Sequence, residues 1–334
     1  MLEDKLLDNN DEKINKESIS KDGDMVIERP NINVITIRDK KSGLPFSKGI
    51  LAASISVTGL DIVTSHKIAY EIEQYLINKK VESIPQDELR SIVFRFIKEQ
   101  VNIEYAEKYL LWQSVGKLKK PIVILIGGAT GVGKSTIATI LANRLNITRV
   151  ASSDAIREVM RASVSEKLIR PLRGSSYNAY RNLTLPPSGV NPVILGFREQ
   201  VTAVSVGIDA IIKRNIEEKT DIIIEGAHVV PGYLDIEKFN SKAIIQQIVI
   251  SVPGREILKE HFTKRTTETQ GSRPIQKYIK YLDNIQMIQT YIEGLAKDNN
   301  ISIIENLGLD NTFKEILELL FQRVKQEFSK IRSL

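Results

Sequence analysis

The chain has 334 residues, 42% of them hydrophobic, enough for a sizeable core and for two domains. It has no cysteine, which excludes disulfides and thiolate metal sites, and its three histidines (His66, His228 and His261) lack the spacing of a zinc enzyme. The formal charge of +6 is uneven: residues 1–30 carry five Lys/Arg against nine Asp/Glu, a net of −4 that leaves +10 for the rest. No basic stripe with interleaved aromatics stands out, so this balance favours small anionic ligands over nucleic acid.

In chain order, Met1 to about Pro30 is rich in Asp, Glu, Lys, Asn and Ser and poor in apolar residues, and we expect a disordered acidic tail. This opening is unlike a signal peptide, and no apolar run approaches bilayer-spanning length, so a cytoplasmic protein with no membrane partner is expected. Asn33–Arg38 has strand composition, Lys40–Gly43 supplies a turn, and PFSKGILAASISVTG begins a helix. Two further helical stretches are expected at about 62–78 and 86–109. Residues 31–115 therefore read as a small, mostly helical module that starts with a hairpin.

A linker over 114–121 delivers the chain to a second domain, 116–334. Apolar runs at 122–126, 148–151, 221–224, 243–252 and 301–304 alternate there with helical stretches. This alternation predicts an α/β fold, a mainly parallel P-loop NTPase sheet with helices on both faces.

The run Gly128-Ala-Thr-Gly-Val-Gly-Lys-Ser135 satisfies GxxxxGK[ST] between an expected strand and an expected helix. Its glycines let backbone N–H groups turn inward around phosphates, and the helix N-terminus adds positive potential. Gly128, Ala129, Thr130, Gly131, Val132, Gly133, Lys134, Ser135 and Thr136 are thus the nucleotide-binding candidates. Lys134 is expected to reach the β and γ phosphates and Ser135 to ligate Mg2+, with ATP or GTP as ligand. There is no NKxD segment and no helicase or ABC signature, which leaves a kinase of small metabolites or nucleotides.

Beyond the loop, the second strand leads into Ser152-Ser153-Asp154, at the sheet edge where α/β proteins bind ligands. Arg157 and Arg161, four residues apart on the following helix, can point together and offer guanidinium forks to an anion. Asp154 reads either as a helix cap or as the group that orients an acceptor hydroxyl, and the two roles are compatible. Glu225 ends the strand 221–224 where a Walker-B carboxylate would hold the metal shell or polarise the hydroxyl. His228, alone in a loop, reads as structural or solvated before it reads as a substrate contact. His261–Thr266 and Arg273 flank a polar stretch, TTETQGS, with the character of a lid that brings Arg265 or Arg273 to the transferring phosphoryl group.

With these residues assembled, the chain resembles the archaeal 2-phosphoglycerate kinase family. The resemblance rests on PFSKGILAASISVTGLD, GGATGVGKSTIA, SSDAIREVMR, SSYNAY (Ser175 to Tyr180) and EGAHVVPG (Glu225 to Gly232). It implies ATP-dependent phosphorylation of the 3-hydroxyl of 2-phosphoglycerate to 2,3-bisphosphoglycerate, a precursor of the cyclic compound in methanogens. Its signature stretches put Ser176 and Tyr177 with Asp154, Arg157, Arg161 and Arg273 as substrate-binding candidates. Lys134, Asp154, Glu225 and Arg265 are the catalytic candidates, and Ser135 and Glu225 the metal ligands. Asp154 is preferred for the acceptor hydroxyl, with Glu225 the alternative. The segment from about Asn31 to Phe96 resembles an ATP-cone, a module that binds nucleotide regulators, although the opening Arg38-Asp-Lys-Lys-Ser-Gly43 carries extra residues before its glycine. Other readings are a related P-loop kinase of a nucleotide, sugar acid or RNA end, and a nucleotide sensor that switches a partner.

Overall fold

The computed structural model describes residues 35–38, 43–165, 167–184, 188–268 and 275–332. The expected acidic tail and Arg273 lie outside the described residues.

The first module opens with β1 (Thr36–Arg38) and β2 (Gly43–Pro45), paired antiparallel with Ile37 opposite Leu44. Helix α1 (Lys48–Ser56) is capped by Ser47, which accepts from the Ile50 amide, and α2 (Ile62–Asn78) by Asp61, which accepts from the Thr64 amide. A third strand, β3 (Ser83–Pro85), has no counterpart in the sequence pattern and pairs parallel with β1. The single helix expected at about 86–109 is two, α3 (Gln86–Gln100) and α4 (Ile103–Ser114). The helix breaks because Asn102 is extended and caps α4 through its side chain, 3.1 Å from the Tyr105 amide. Ile55, Ile68, Ile72, Leu76, Val93 and Ile97 close this module around its own apolar cluster.

The expected linker is ordered as the end of α4 and a 3-10 turn over Val115–Leu118, with Lys119 in the left-handed region. The second sheet follows, made of β4 (Ile122–Gly127), β5 (Val150–Ser152), β6 (Ile222–Glu225), β7 (Ile244–Ser251) and β8 (Ser302–Glu305). All its pairings are parallel, in the order β5-β6-β4-β7-β8. The connecting helices are α5 (Lys134–Leu145), α6 (Ser153–Ser163), α7 (Pro192–Glu217), α8 (Arg255–Glu268), α9 (Ile275–Ile279), α10 (Leu282–Asp298) and α11 (Leu309–Arg332).

Why the strands read as unbroken apolar runs is plain from β4. Ile122, Ile124 and Ile126 enter a cluster with residues of α5, α10 and α11, whereas Val123 and Leu125 enter a second cluster with Val204, Ile208 and Ile212 of α7. A strand covered on both faces has no solvent side to make polar. The two modules meet where α4 packs on α11: Lys108 Nζ lies 2.7 Å from Glu104 and 2.6 Å from Glu318, and Trp112 meets the Phe321 ring edge-on. No helix among the described residues is long and apolar enough to cross a membrane.

Candidate active site

Strand order reverses at β4, whose chain continuation goes to one side of the sheet while β7 and β8 lie on the other, and the crevice at the strands' carboxyl ends is where such sheets take ligands. The phosphate loop sits there. Gly131 has φ +93°, and a Cβ on it would lie 2.6 Å from Cζ of the Phe262 ring, so only glycine lets α8 pack so closely against the loop. Two further side chains fix the loop from outside. His261 Nδ1 is 2.8 Å from the Gly131 carbonyl, and Asn306 Nδ2 donates to the Val132 carbonyl at 3.0 Å while its Oδ1 accepts from Thr312 at 3.2 Å.

Inside the loop, the buried Lys134 ammonium donates to the Ala129 carbonyl at 2.6 Å. Burial holds its pKa below the ordinary lysine value, and the carboxylates of Glu225 and Asp154 partly offset that. The Ser135 hydroxyl donates to Glu225 Oε1 at 3.0 Å. Thr130 reaches outward, its hydroxyl 3.2 Å from that of Ser176. The register explains this convergence: Glu225 is the last residue of β6, level with Ile126 on β4 and Ser152 on β5.

On the other side of the crevice, α6 is capped by Ser152, whose Oγ accepts from the Asp154 amide at 3.2 Å, so Asp154 itself is not the cap. Its carboxylate is left largely exposed, 3.8 Å from Arg157 Nε and 4.0 Å from His228 Nδ1. The expectation of two open guanidinium forks needs correction. Arg157 donates to the carbonyls of Leu172 and Gly174 at 3.0 and 2.8 Å and to Glu158 at 2.6 Å, so it anchors the loop 170–182. Arg161 is half-exposed and pairs with the same Glu158 at 2.6 Å. The two arginines do converge, through a shared carboxylate that a motif of alternating charges on one helix face already contained.

The stretch SSYNAY lies in this loop. Ser176 faces the phosphate loop, while Tyr177 is buried among aromatic rings, 6.1 Å from Tyr278 and 5.3 Å from Tyr281, and burial raises its phenol pKa. The lid expectation is revised in part: His261 to Glu268, including Thr266 and Thr267 of the polar stretch, are helical in α8. Arg265 lies on that helix with its guanidinium carbon 6.0 Å from the Tyr278 ring centre. The remainder of the stretch lies outside the described residues.

His228 is fully buried. Its Nε2 is 2.9 Å from Gln200 Oε1 and its Nδ1 is 2.9 Å from Ser153 Oγ. Burial lowers its pKa to about 4, with Arg157 and Lys134 acting the same way and Asp154 opposing, so the ring is neutral at pH 7. Sequence reasoning missed Gln200, Ser153, Asn306 and Thr312. Two signals were available: Asn306 follows the last strand at the ligand edge, and Gln200 interrupts the apolar stripe Phe197, Val204, Ile208 of α7.

A complete phosphate loop at the carboxyl edge of this parallel sheet, with a strand-end carboxylate on the loop serine and a second carboxylate across the crevice, defines a P-loop kinase. No family model matches the chain. Its sequence is 40% identical over 293 residues to 2-phosphoglycerate kinase of Pyrococcus furiosus, covering 88% of this chain and 95% of that protein. It is 39% identical over 285 residues to 2-phosphoglycerate kinase of Methanothermobacter thermautotrophicus, covering 85% and 92%, and 40% identical over 302 residues to that of Methanococcus maripaludis strain C7, covering 88% and 94%. The chain belongs to the 2-phosphoglycerate kinase family. Among solved structures it is similar to shikimate kinase from Acinetobacter baumannii at 17% identity and a TM-score of 0.36, over 62% of this chain and 97% of that one.

Proposed function

We propose that the chain transfers the γ-phosphoryl group of ATP to the 3-hydroxyl of 2-phosphoglycerate, giving 2,3-bisphosphoglycerate and ADP in the cytoplasm. One observation carries the reading beyond family membership: Ser135 and Glu225 are paired on the nucleotide side, the Asp154 carboxylate across the crevice is close enough to act on the Lys134 ammonium, and Ser176 meets Thr130 of the phosphate loop. In the reaction, the acceptor oxygen bonds to the γ-phosphorus as the bond from that phosphorus to the β,γ-bridging oxygen breaks. The hydroxyl proton passes to Asp154, and ADP leaves with the electron pair.

Each side chain has one role here. The loop amides of 128–136 and Lys134 hold the phosphates, and a phosphate oxygen competes for the ammonium that Ala129 now receives. Glu225 is engaged with Ser135, which leaves Asp154 to orient and deprotonate the acceptor. Arg161 and Ser176 take the acceptor's phosphate and carboxylate, and Arg157 shapes the loop that presents Ser176. Arg265 reaches the transferring group from α8, where charge stabilises the transition state.

Ser135 and Glu225 suit a hard divalent cation. Among the described residues no group of three or more His, Asp or Glu is placed to hold a metal alone. This matches Mg2+, which takes one or two protein oxygens and fills its shell with phosphate and water. When bound, it neutralises charge on the β and γ phosphates. We further read residues 31–115 as an ATP-cone-like regulatory module and 116–334 as the kinase domain, supported by the separate cluster around Ile68 and Ile72.

The test is ADP release from ATP and Mg2+ with 2-phosphoglycerate, beside 3-phosphoglycerate, glycerate, gluconate and nucleoside monophosphates. Selective turnover of 2-phosphoglycerate, abolished by Lys134→Ala, is expected. Turnover of a different acceptor would overturn the substrate, and release with none of them would overturn the kinase reading.

A further inference from the structure

A buried relay of polar side chains runs beneath the acceptor side of the crevice. It starts at Ser153, fully buried and adjacent to Asp154 in the chain. The Ser153 hydroxyl is 2.9 Å from His228 Nδ1 and also accepts from the His228 amide at 3.4 Å. His228 Nε2 is 2.9 Å from Gln200 Oε1, and Gln200 Nε2 donates to the carbonyls of Pro171 at 2.6 Å and Gly174 at 3.0 Å. All three side chains are buried, and each bond fixes the sense of the next. Because the Gln200 amide nitrogen donates to two carbonyls, its oxygen must accept, so Nε2 of the imidazole carries the proton and Nδ1 accepts from Ser153.

The loop is held at the same point from two helices. The Gly174 carbonyl receives Gln200 of α7 and Arg157 of α6, two residues before Ser176. One turn before Gln200, Gly196 lets the loop backbone lie directly on the helix, since a Cβ there would be 2.5 Å from the Tyr180 Cα. Ser176 then meets Thr130 of the phosphate loop. A residue in the interior of α7 is thereby linked, through Gly174 and Ser176, to Thr130 of the phosphate loop.

We propose that Gln200, with its orientation fixed by His228 and Ser153, is a positioning residue for the acceptor: it holds the Gly174 carbonyl so that Ser176 and Asp154 face the acceptor together. It touches neither substrate itself. The inference rests on the acceptor site assigned above, and it adds the specific claim that donation from position 200 controls acceptor capture separately from nucleotide binding.

The experiment compares KM for 2-phosphoglycerate and KM for ATP in Gln200→Met, which keeps the volume and loses both donated bonds. The acceptor KM should rise about tenfold, as expected for lost donors to buried carbonyls, while the ATP KM stays within about twofold. If Gln200→Met does not fold, Gln200→Glu, which keeps the shape and presents a carboxylate to the same carbonyls, is read in the same way. His228→Gln, which can still donate to Gln200, should retain most acceptor affinity, and His228→Phe, which cannot, should lose it while the ATP KM stays within about twofold, a split that a general loss of structure would not give. Equal rises in both KM values, or an unchanged acceptor KM in a folded variant at position 200, would overturn the inference. Ser176→Ala distinguishes the two levels: an unchanged acceptor KM there would overturn the site itself, whereas a raised one with Gln200→Met unchanged would overturn only the positioning role.

Discussion

Replacing Gly131 by alanine tests whether α8 holds the phosphate loop in shape. A side chain at φ +93° costs about 1–2 kcal/mol from backbone sterics alone. The new Cβ also meets the Phe262 ring, which is fully buried and stacked on Tyr278 with centroids 4.5 Å apart and planes at 5°. That ring has nowhere to turn, so overpacking adds about 1–3 kcal/mol. The expected loss is therefore roughly 2–5 kcal/mol. Gly254→Ala is the internal control, because its φ is +81° but nothing lies within 4 Å of the added atom, and only the backbone cost of about 1–2 kcal/mol remains. Urea unfolding followed by circular dichroism gives both losses, and steady-state kinetics gives the ATP KM, which should rise for Gly131→Ala because the same helix carries His261 to the Gly131 carbonyl. Equal losses in the two variants, with an unaltered ATP KM, would refute the reasoning.

Asp154→Asn should lower kcat by about 10²- to 10⁴-fold, the range for a general base, with little change in the KM for ATP; Glu225→Gln should instead raise the Mg2+ concentration needed for half-maximal rate, and the reverse pattern in a metal titration would exchange their roles. The pH dependence of stability should carry the mark of His228. Its pKa falls from 6.5 to about 4 on folding, so the unfolded chain binds more protons between those values, and the stabilisation, full above pH 6.5, is lost as the pH falls toward 4. The shift corresponds to roughly 3 kcal/mol, and denaturant midpoints from pH 7 to 4 should fall less steeply in His228→Gln than in the parent.

The second sheet was legible because its strands are covered on both faces: Ile122–Ile126 could be read as one apolar run without knowing its neighbours. The phosphate loop was legible because all of its chemistry lies within nine consecutive residues. Strand β3 was not, since three residues have no period and the strand exists only by pairing with β1. Helical spacing presents Arg157 as an open fork because it gives direction and says nothing of the carbonyls of Leu172 and Gly174 that fold back to meet it. Gln200 could have been suspected as a polar residue on a buried stripe, but its partners come from two separate segments that only the tertiary fold brings together.

The bond from Asn306 to the Val132 carbonyl spans 174 residues of chain. The loop that begins at residue 128 is thus braced by a side chain made near the end of synthesis, and Thr312 secures that brace only after α11 has begun. On the ribosome, the phosphate loop has only the first of its two outer braces, His261, until the chain has passed β8. A truncated or stalled chain ending before residue 306 would therefore carry the whole phosphate-loop motif and its brace from His261, and lack the second of the two side chains that fix the loop from outside.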